Sequence, residues 1–185
     1  MKAIAPALAD AKVLVRPLMS DDLASLYAAV CESKDAVGRW MSWCHPDYSV
    51  RDAEEWIAHC DRSREAEADR EFGIFDATSG EVLGCVGINQ FNRIHNFANL
   101  GYWVRTSRVG EGIASAAALL LAKSAFGELE LSRIEIVAQV DNVASRRVAE
   151  KVGCQFEGIA RNRLLFRGRP CDAALYSLVP RDIVA

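Results

Sequence analysis

Apolar and polar positions follow one rhythm in the first half of the chain and another in the second. Residues 13 to 16, Val-Leu-Val-Arg, read as a short strand closed by Pro17. Ser20-Asp-Asp-Leu23 reads as a helix start, with a capping hydroxyl, acids in the first turn, and Leu23, Leu26, Tyr27 and Val30 on one face. Residues 33 to 48 hold Gly38 and Pro46 and read as loop. Ser49-Val-Arg-Asp52 has capping-box spacing, so a charge-rich second helix is expected to run to about Ala68. Then come Glu71–Asp76, a turn at Thr78-Ser-Gly80, Val82–Phe91, a polar connection at 92 to 96, and Phe97–Val104. That series predicts an antiparallel meander.

After Val104 the rhythm changes. Gly112 to Phe126 is almost wholly apolar, with small residues in its first half, which predicts a helix buried on a sheet and closely approached. Arg133–Val140 is a strand, Asn142–Val152 a helix stopped by Gly153, and 155–164 and 171–179 are two last strands around the turn Arg167-Gly-Arg-Pro170. Strand, helix, strand is a crossover unit, so strands 97–104 and 133–140 are expected to be parallel. Their C-terminal ends would then deliver the loop 105–112 and the pair Asp141-Asn142 to one edge of the sheet, where such sheets bind ligands.

That loop carries the chemistry. Gly110 and Gly112 precede a helix N-terminus, where unpaired N–H groups and the helix dipole favour an anion. Composition narrows the rest. With 185 residues, 51% hydrophobic and 25% charged, the chain fits one globular domain over 1–185. A net charge of −3 argues against nucleic acid as an obligatory partner. The apolar run between Met1 and Leu8 is too weak for an export signal, and no run is long enough for a membrane. Six scattered cysteines without a CxxC pair read as free thiols in a reducing cytoplasm and provide no metal-site spacing.

Two segments, Gly101-Tyr-Trp-Val with Gly110-Glu-Gly-Ile-Ala-Ser115, and Asp141-Asn-Val-Ala-Ser-Arg-Arg-Val-Ala-Glu-Lys-Val-Gly-Cys154, resemble the GNAT acyltransferase superfamily, specifically its RimJ/RimL-type N-acetyltransferases. The opening Leu14-Val-Arg-Pro-Leu18 and the tail around Glu157-Gly158, Arg167-Gly168, Asp172 and Tyr176-Ser-Leu178 are similar to the same group. The resemblance implies an α/β (α+β) fold: a mixed, mostly antiparallel sheet whose central parallel pair splays around coenzyme A, with helices on both faces. It implies acetyl-CoA as co-substrate, no metal, and an amine acceptor. The pyrophosphate would lie on the amides of Val109, Gly110, Glu111, Gly112, Ile113 and Ala114, with the Ser115 hydroxyl nearby. The pantetheine arm would pair with the backbone of Trp103, Val104 and Arg105 and with the Asn142 side chain. Arg108, Arg147 and Lys151 are candidates for the phosphates. Asn142 and Ser145 share a helix face, and Ser145 matches the position that protonates the departing thiolate.

The pattern departs from the superfamily at four positions. Ser107 stands where Gln or Arg usually opens the phosphate motif, and Ala149 replaces a Tyr acid. Asn99 and Leu164 occupy positions that often carry Glu. The resemblance therefore fixes no general base, and His45 is the one weak candidate offered by the variable first third. An α-amine titrates near about 8 and lysine near about 10, so a site with no strong base suits a protein N-terminus. Small amines such as polyamines or antibiotics, and a non-catalytic acyl-CoA sensor, are the competing readings. A dinucleotide oxidoreductase is disfavoured because Ser115 stands where the third glycine of GxGxxG belongs. The expected location is the cytoplasm. The expected partners are acetyl-CoA and the acceptor, without nucleic acid or membrane; a homodimer stays open.

Overall fold

The computed structural model describes residues 7–183; the reading of the first residues as no export signal lies outside that range for Met1–Pro6. Eight strands form one sheet: β1 (Leu8–Ala9), β2 (Val13–Arg16), β3 (Arg70–Asp76), β4 (Val82–Asn92), β5 (Phe97–Val104), β6 (Arg133–Gln139), β7 (Gln155–Phe166) and β8 (Arg169–Leu178). Their order across the sheet is β1-β2-β3-β4-β5-β6-β8-β7. Every neighbouring pair is antiparallel except β5 and β6, which are parallel. The meander, the crossover and the final hairpin expected from the sequence are all present.

Helices cover both faces. α1 (Leu23–Val37) and α2 (Val50–Glu65) pack over one, with Leu26, Val30, Ile57 and Cys60 buried against Phe75, Val82, Cys85 and Trp103. α3 (Ile113–Glu128) and α4 (Val143–Val152) pack over the other, and a short α5 (Pro180–Ile183) follows β8. On α3, Ala117, Ala118, Leu121, Ala122 and Ala125 are fully buried against Leu100, Ile134 and Ile136. Alanine at four of these five positions lets the helix backbone sit close to the sheet, and each added apolar contact strengthens the layer by burial. Because both faces of β4 are covered, Val82–Ile88 are buried without interruption, so this strand lacks an alternating pattern.

The helix boundaries differ in three places, and the last turn is only Arg167-Gly168, since Arg169 and Pro170 already pair with Phe166 and Leu165 in the final hairpin. Ser20 does not cap α1: a short 3₁₀ turn at Ser20–Asp22 precedes it, and the Asp22 carboxylate accepts from the Met19 N–H at 2.8 Å while Arg16 holds it at 2.7 Å. α1 continues to Val37 through residues read as loop, because Ser33 satisfies its hydroxyl on the Ala29 carbonyl at 2.7 Å within the helix. α2 ends at Glu65, before the expected Ala68. Its start is as expected: the Ser49 hydroxyl accepts from the Asp52 N–H, and the Asp52 carboxylate from the Ser49 N–H at 2.7 Å.

Candidate active site

The parallel pair is short. β5 and β6 are in register only at Phe97↔Arg133, Ala98↔Ile134 and Asn99↔Glu135, after which the strands part. On its other side β5 stays paired with β4 through Val104. Strand alternation then decides which backbone groups are free. The Arg105 N–H donates to the Leu83 carbonyl at 2.8 Å, so odd-numbered residues of this strand turn their backbone towards β4. The Asn96 carbonyl accepts from the Ser132 N–H at 3.0 Å, so even-numbered residues turn theirs towards β6. Tyr102 and Val104 therefore point their N–H and C=O into the opening, a strand edge left unpaired inside the protein. The backbone of Trp103 and Arg105, expected there from the resemblance, faces β4, and the Arg105 carbonyl also accepts from the Arg108 N–H at 3.1 Å.

A cavity of about 320 Å³ fills this opening, lined by Leu100, Gly101 and Tyr102 on one side, Ile136–Gln139 on the other, and Asn142 and Ser145 at the start of α4. Asn142 caps α4, its side-chain oxygen accepting from the Ser145 N–H at 3.1 Å, and it lines the cavity with its amide NH₂ outside that bond. The Tyr102 hydroxyl donates to the Ser145 carbonyl at 2.8 Å and lies 3.2 Å from the Ser145 Oγ. Burial pushes the Tyr102 phenol above its usual range, so it keeps its proton. A hydroxyl pair, Ser145 with Tyr102, thus stands where a single serine was expected. Tyr102 was in plain view in the sequence, but its partner lies 43 positions further on, on another element. Ala149 is fully buried and contributes no acid.

Beyond β5 the chain makes a 3₁₀ turn at Thr106–Arg108 and enters the glycine loop. Helix α1 holds this turn. Glu32 accepts from the Ser107 N–H at 3.0 Å and the Ser107 hydroxyl at 2.8 Å, and the Thr106 N–H donates to the Ser33 hydroxyl at 3.1 Å. The Arg105 guanidinium, buried, bridges Glu32 at 2.5 Å and Glu81. Its hydrogen bond holds the Glu32 carboxyl down to about 2. Among the described residues no backbone carbonyl accepts from the N–H groups of Gly110 to Ser115, whereas the Val109 N–H already donates to the Thr106 carbonyl. Gly110 and Gly112 sit at φ +92° and +83°, where a side chain is strained, and open space surrounds Gly110. The free run of amides, a left-handed turn and the α3 N-terminus together form an anion cradle. The Ser115 hydroxyl is turned back to the Gly112 carbonyl at 2.9 Å.

Of the cations expected to meet the phosphates, Arg108 stands at the loop but is already paired. Arg108 is taken up by Glu111 at 2.9 Å and Asp76 at 3.1 Å. Arg147 and Lys151 are exposed on α4 and line neither of the cavities described here. Lys12, on the turn before β2, reaches the Glu111 carbonyl at 3.4 Å. It is 99 residues away in sequence, and no local signal marks it.

The second cavity lies on the α1/α2 face and measures about 680 Å³. Trp43, Tyr48, Trp56 and Trp103 form aromatic walls, with His45, His59, Asp52 and Glu71 among the polar lining. Trp43 packs 5.6 Å from Trp103 and 6.0 Å from Tyr48, centre to centre. His45 stands in this wall, 6.1 Å from the Tyr48 ring. The two cavities share Met41, Trp43, Asn89, Gly101 and Tyr102, so the opening in the sheet leads from one to the other.

A mixed sheet parts beside an anion cradle, with helices on both faces, which is the arrangement the resemblance to GNAT acyltransferases implies, and the comparisons agree. Residues 12–155 match the family described as the acetyltransferase (GNAT) domain, and the chain belongs to it. It is 30% identical over 92% of its length, and 92% of the relative's, to YdaF of Bacillus subtilis (strain 168), whose name places it among candidate ribosomal N-acetyltransferases. It is 26% identical to the ribosomal-protein-serine acetyltransferase of Escherichia coli (strain K12), covering 83% of this chain and 85% of that one. The solved structure of Mycobacterium smegmatis RimJ in complex with CoA-disulfide superposes with a TM-score of 0.83 at 25% identity, over 96% of this chain and 87% of that one. The chain is therefore a GNAT-family N-acetyltransferase by relationship. Among the described residues no helix is long and apolar enough to cross a membrane.

Proposed function

We propose that the chain transfers the acetyl group of acetyl-CoA to a primary amine, and that the amine is the N-terminus of a protein or peptide. The observation that carries this reading is the parting of β5 from β6 after Asn99, which opens a strand edge at Tyr102 and Val104 beside an anion cradle. The residues present suit the coenzyme. Its pyrophosphate would rest on the amides of Gly110–Ser115, with Lys12 near. Its peptide-like arm would pair with Tyr102 and Val104 and accept the free amide NH₂ of Asn142. Bound there, acetyl-CoA supplies an activated acyl group and a thiolate leaving group.

The protein's own part is mostly placement. Holding amine and acyl carbon together is worth several orders of magnitude in rate. The Val104 N–H faces the opening and can stabilise charge on the acyl oxygen. The Ser145–Tyr102 pair can return a proton to the departing sulfur. The acceptor enters from the aromatic cavity. The relatives named for ribosomal-protein acetylation favour a protein terminus, as does the lower pKa of an α-amine relative to lysine. Thiol release from acetyl-CoA tests the reading with a panel of short peptides, polyamines and aminoglycosides. Turnover with free peptide N-termini is the expected result. Turnover with small amines alone would move the acceptor class. Coenzyme binding with no turnover on any amine would make the chain an acyl-CoA sensor and defeat the proposal.

A further inference from the structure

We infer that Glu71 is the general base of this site, reaching the acceptor amine along a track cleared by Gly87 and Gly101. This rests on the acetyltransfer reading above and supplies the proton acceptor that the family's usual positions lack here.

Glu71 is paired with Gly87 on β4, and Gly87 with Gly101 on β5, so the three form one rung across the sheet. All three face α1 and α2, since their neighbours Phe72, Val86 and Leu100 pack on the opposite side. With no side chain at Gly87, the Glu71 carboxylate lies flat over it: a Cβ built there would fall 1.9 Å from Oε2 and 2.6 Å from Oε1. Adjacent strands are about 4.8 Å apart, so the carboxylate lies roughly one strand spacing from Gly101, at the opening.

Gly101 continues the track. A Cβ built there would meet only the amide nitrogens of Asn89 and Asn99, both at 3.8 Å. This small open space adjoins both cavities. The Asn89 Nδ2 donates to Glu71 Oε1 at 2.9 Å, and the Asn99 Nδ2 donates to Asn89 Oδ1 at 2.9 Å. The chain of three side chains runs from β3 to β5 and ends at Asn99, the last residue of β5 paired with β6. Asn99 holds the position where a glutamate is often found, and the carboxylate stands two strands away, hydrogen-bonded in line with it.

The charge environment suits a base. Burial raises the Glu71 carboxyl above the usual carboxylate value, opposed by the Asn89 hydrogen bond, with Asp69 adding to the rise. Cys60 on α2 and Cys85 on β4 face it as neutral thiols, since burial pushes both upward. Across the cavity stand His59, Arg62, Asp52 and Glu55 of α2 and His45 of the loop before it. Among the described residues no arginine or lysine is bonded to the Glu71 carboxylate.

The step balances. The nitrogen lone pair attacks the acyl carbon, a C–N bond forms, and the C–S bond breaks with its electron pair on sulfur. The proton lost by nitrogen goes to Glu71, and the thiolate takes one from the Ser145–Tyr102 pair or from water.

Glu71→Gln keeps size and the Asn89 contact, so the fold is retained. With a hexapeptide beginning in serine as acceptor, kcat/KM is expected to fall by about 10²-fold or more. The coenzyme Kd stays unchanged and Tm does not fall, since the variant removes the cost of burying a carboxylate; calorimetric affinity for the peptide drops. In the wild type, the acid limb of kcat/KM has a component that stays put when acceptors of different amine pKa are compared; Glu71→Gln removes that component. Gly87→Ala displaces the carboxylate without removing it and is expected to lower kcat/KM in the same direction. A Glu71→Gln variant within twofold of wild type, with the fixed component intact, overturns the inference while leaving acetyltransfer standing. A wild type that binds coenzyme and acetylates no amine overturns both.

Discussion

Glu111 puts a carboxylate into the loop whose free amides suit an anion, and Arg108 answers it at 2.9 Å from one side while Lys12 holds its carbonyl from another. A coenzyme phosphate arriving there must compete with Glu111 for Arg108 and lie near a like charge. Exposed charges of this kind interact weakly and are screened by salt. Glu111→Gln is therefore expected to tighten coenzyme binding modestly, about two- to fivefold at low ionic strength by the scale of such pairs, and the gain should shrink as salt is added. Calorimetric titration with CoA at two salt concentrations measures it. Weaker binding in the variant would mean that Glu111 aims Arg108 at the phosphates, and the loop would then be using the pair as a unit. The glycines of this loop were legible in the sequence because a left-handed turn before a helix is a local demand. The cations were not, because Arg108's carboxylate partner Asp76 and the approach of Lys12 depend on strands far away in the chain.

α1 and β5 are joined by one ion cluster, and that junction sets where the cradle sits. Glu32 on α1 receives the Arg105 guanidinium and both donors of Ser107, and Ser33 receives the Thr106 N–H. The Arg105 hydrogen bond holds Glu32 near about 2 in the folded protein, against 4.5 for a free glutamate. A depressed carboxyl stabilises the fold fully above its unfolded pKa and loses that contribution as pH falls through the folded one. Glu32→Gln is thus expected to lower the denaturant midpoint at pH 7, with the deficit closing between pH 4.5 and about 2. Urea unfolding of both proteins at several pH values reads this out, and a deficit that persists unchanged to the acid end would assign the loss to packing alone. The elements themselves were largely legible. Periodicity marked α3, the Ser49 box marked α2, and the crossover rule marked the parallel pair. Register was not. Glu71, Gly87 and Gly101 are 16 and then 14 positions apart, and only the strand pairing puts them on one rung. A glutamate at a strand start reads as an exposed polar residue until its neighbours across the sheet prove to be glycines.

The sheet of the whole molecule works as a partition with one gap. The anion cradle follows the C-terminal end of β5, the aromatic cavity lies under α1 and α2, and the parting of β5 and β6 connects them. Donor and acceptor sites can then be altered separately, except where side chains line both cavities. Trp43 is one of these. It is 40% exposed, and its ring leans on Trp103 and Tyr48 at the edge of the α1/α2 core. It comes from the loop 38–48, which is tied across the opening by Arg167 donating to the Gly38 carbonyl at 3.0 Å and Gln139 to the Trp40 carbonyl at 3.3 Å. An aromatic wall of this kind contributes roughly 0.5–1.5 kcal/mol beyond simple burial. Trp43→Ala should therefore raise KM for a peptide acceptor about three- to tenfold. The coenzyme Kd should weaken less, because most of the coenzyme's expected contacts are the loop backbone and Asn142 rather than this ring. Steady-state kinetics varying the acceptor at saturating acetyl-CoA, paired with calorimetry for CoA alone, separates the two. If the coenzyme Kd weakens as much as the acceptor KM rises, Trp43 holds the opening itself in shape, and the gap is a single site rather than a passage between two.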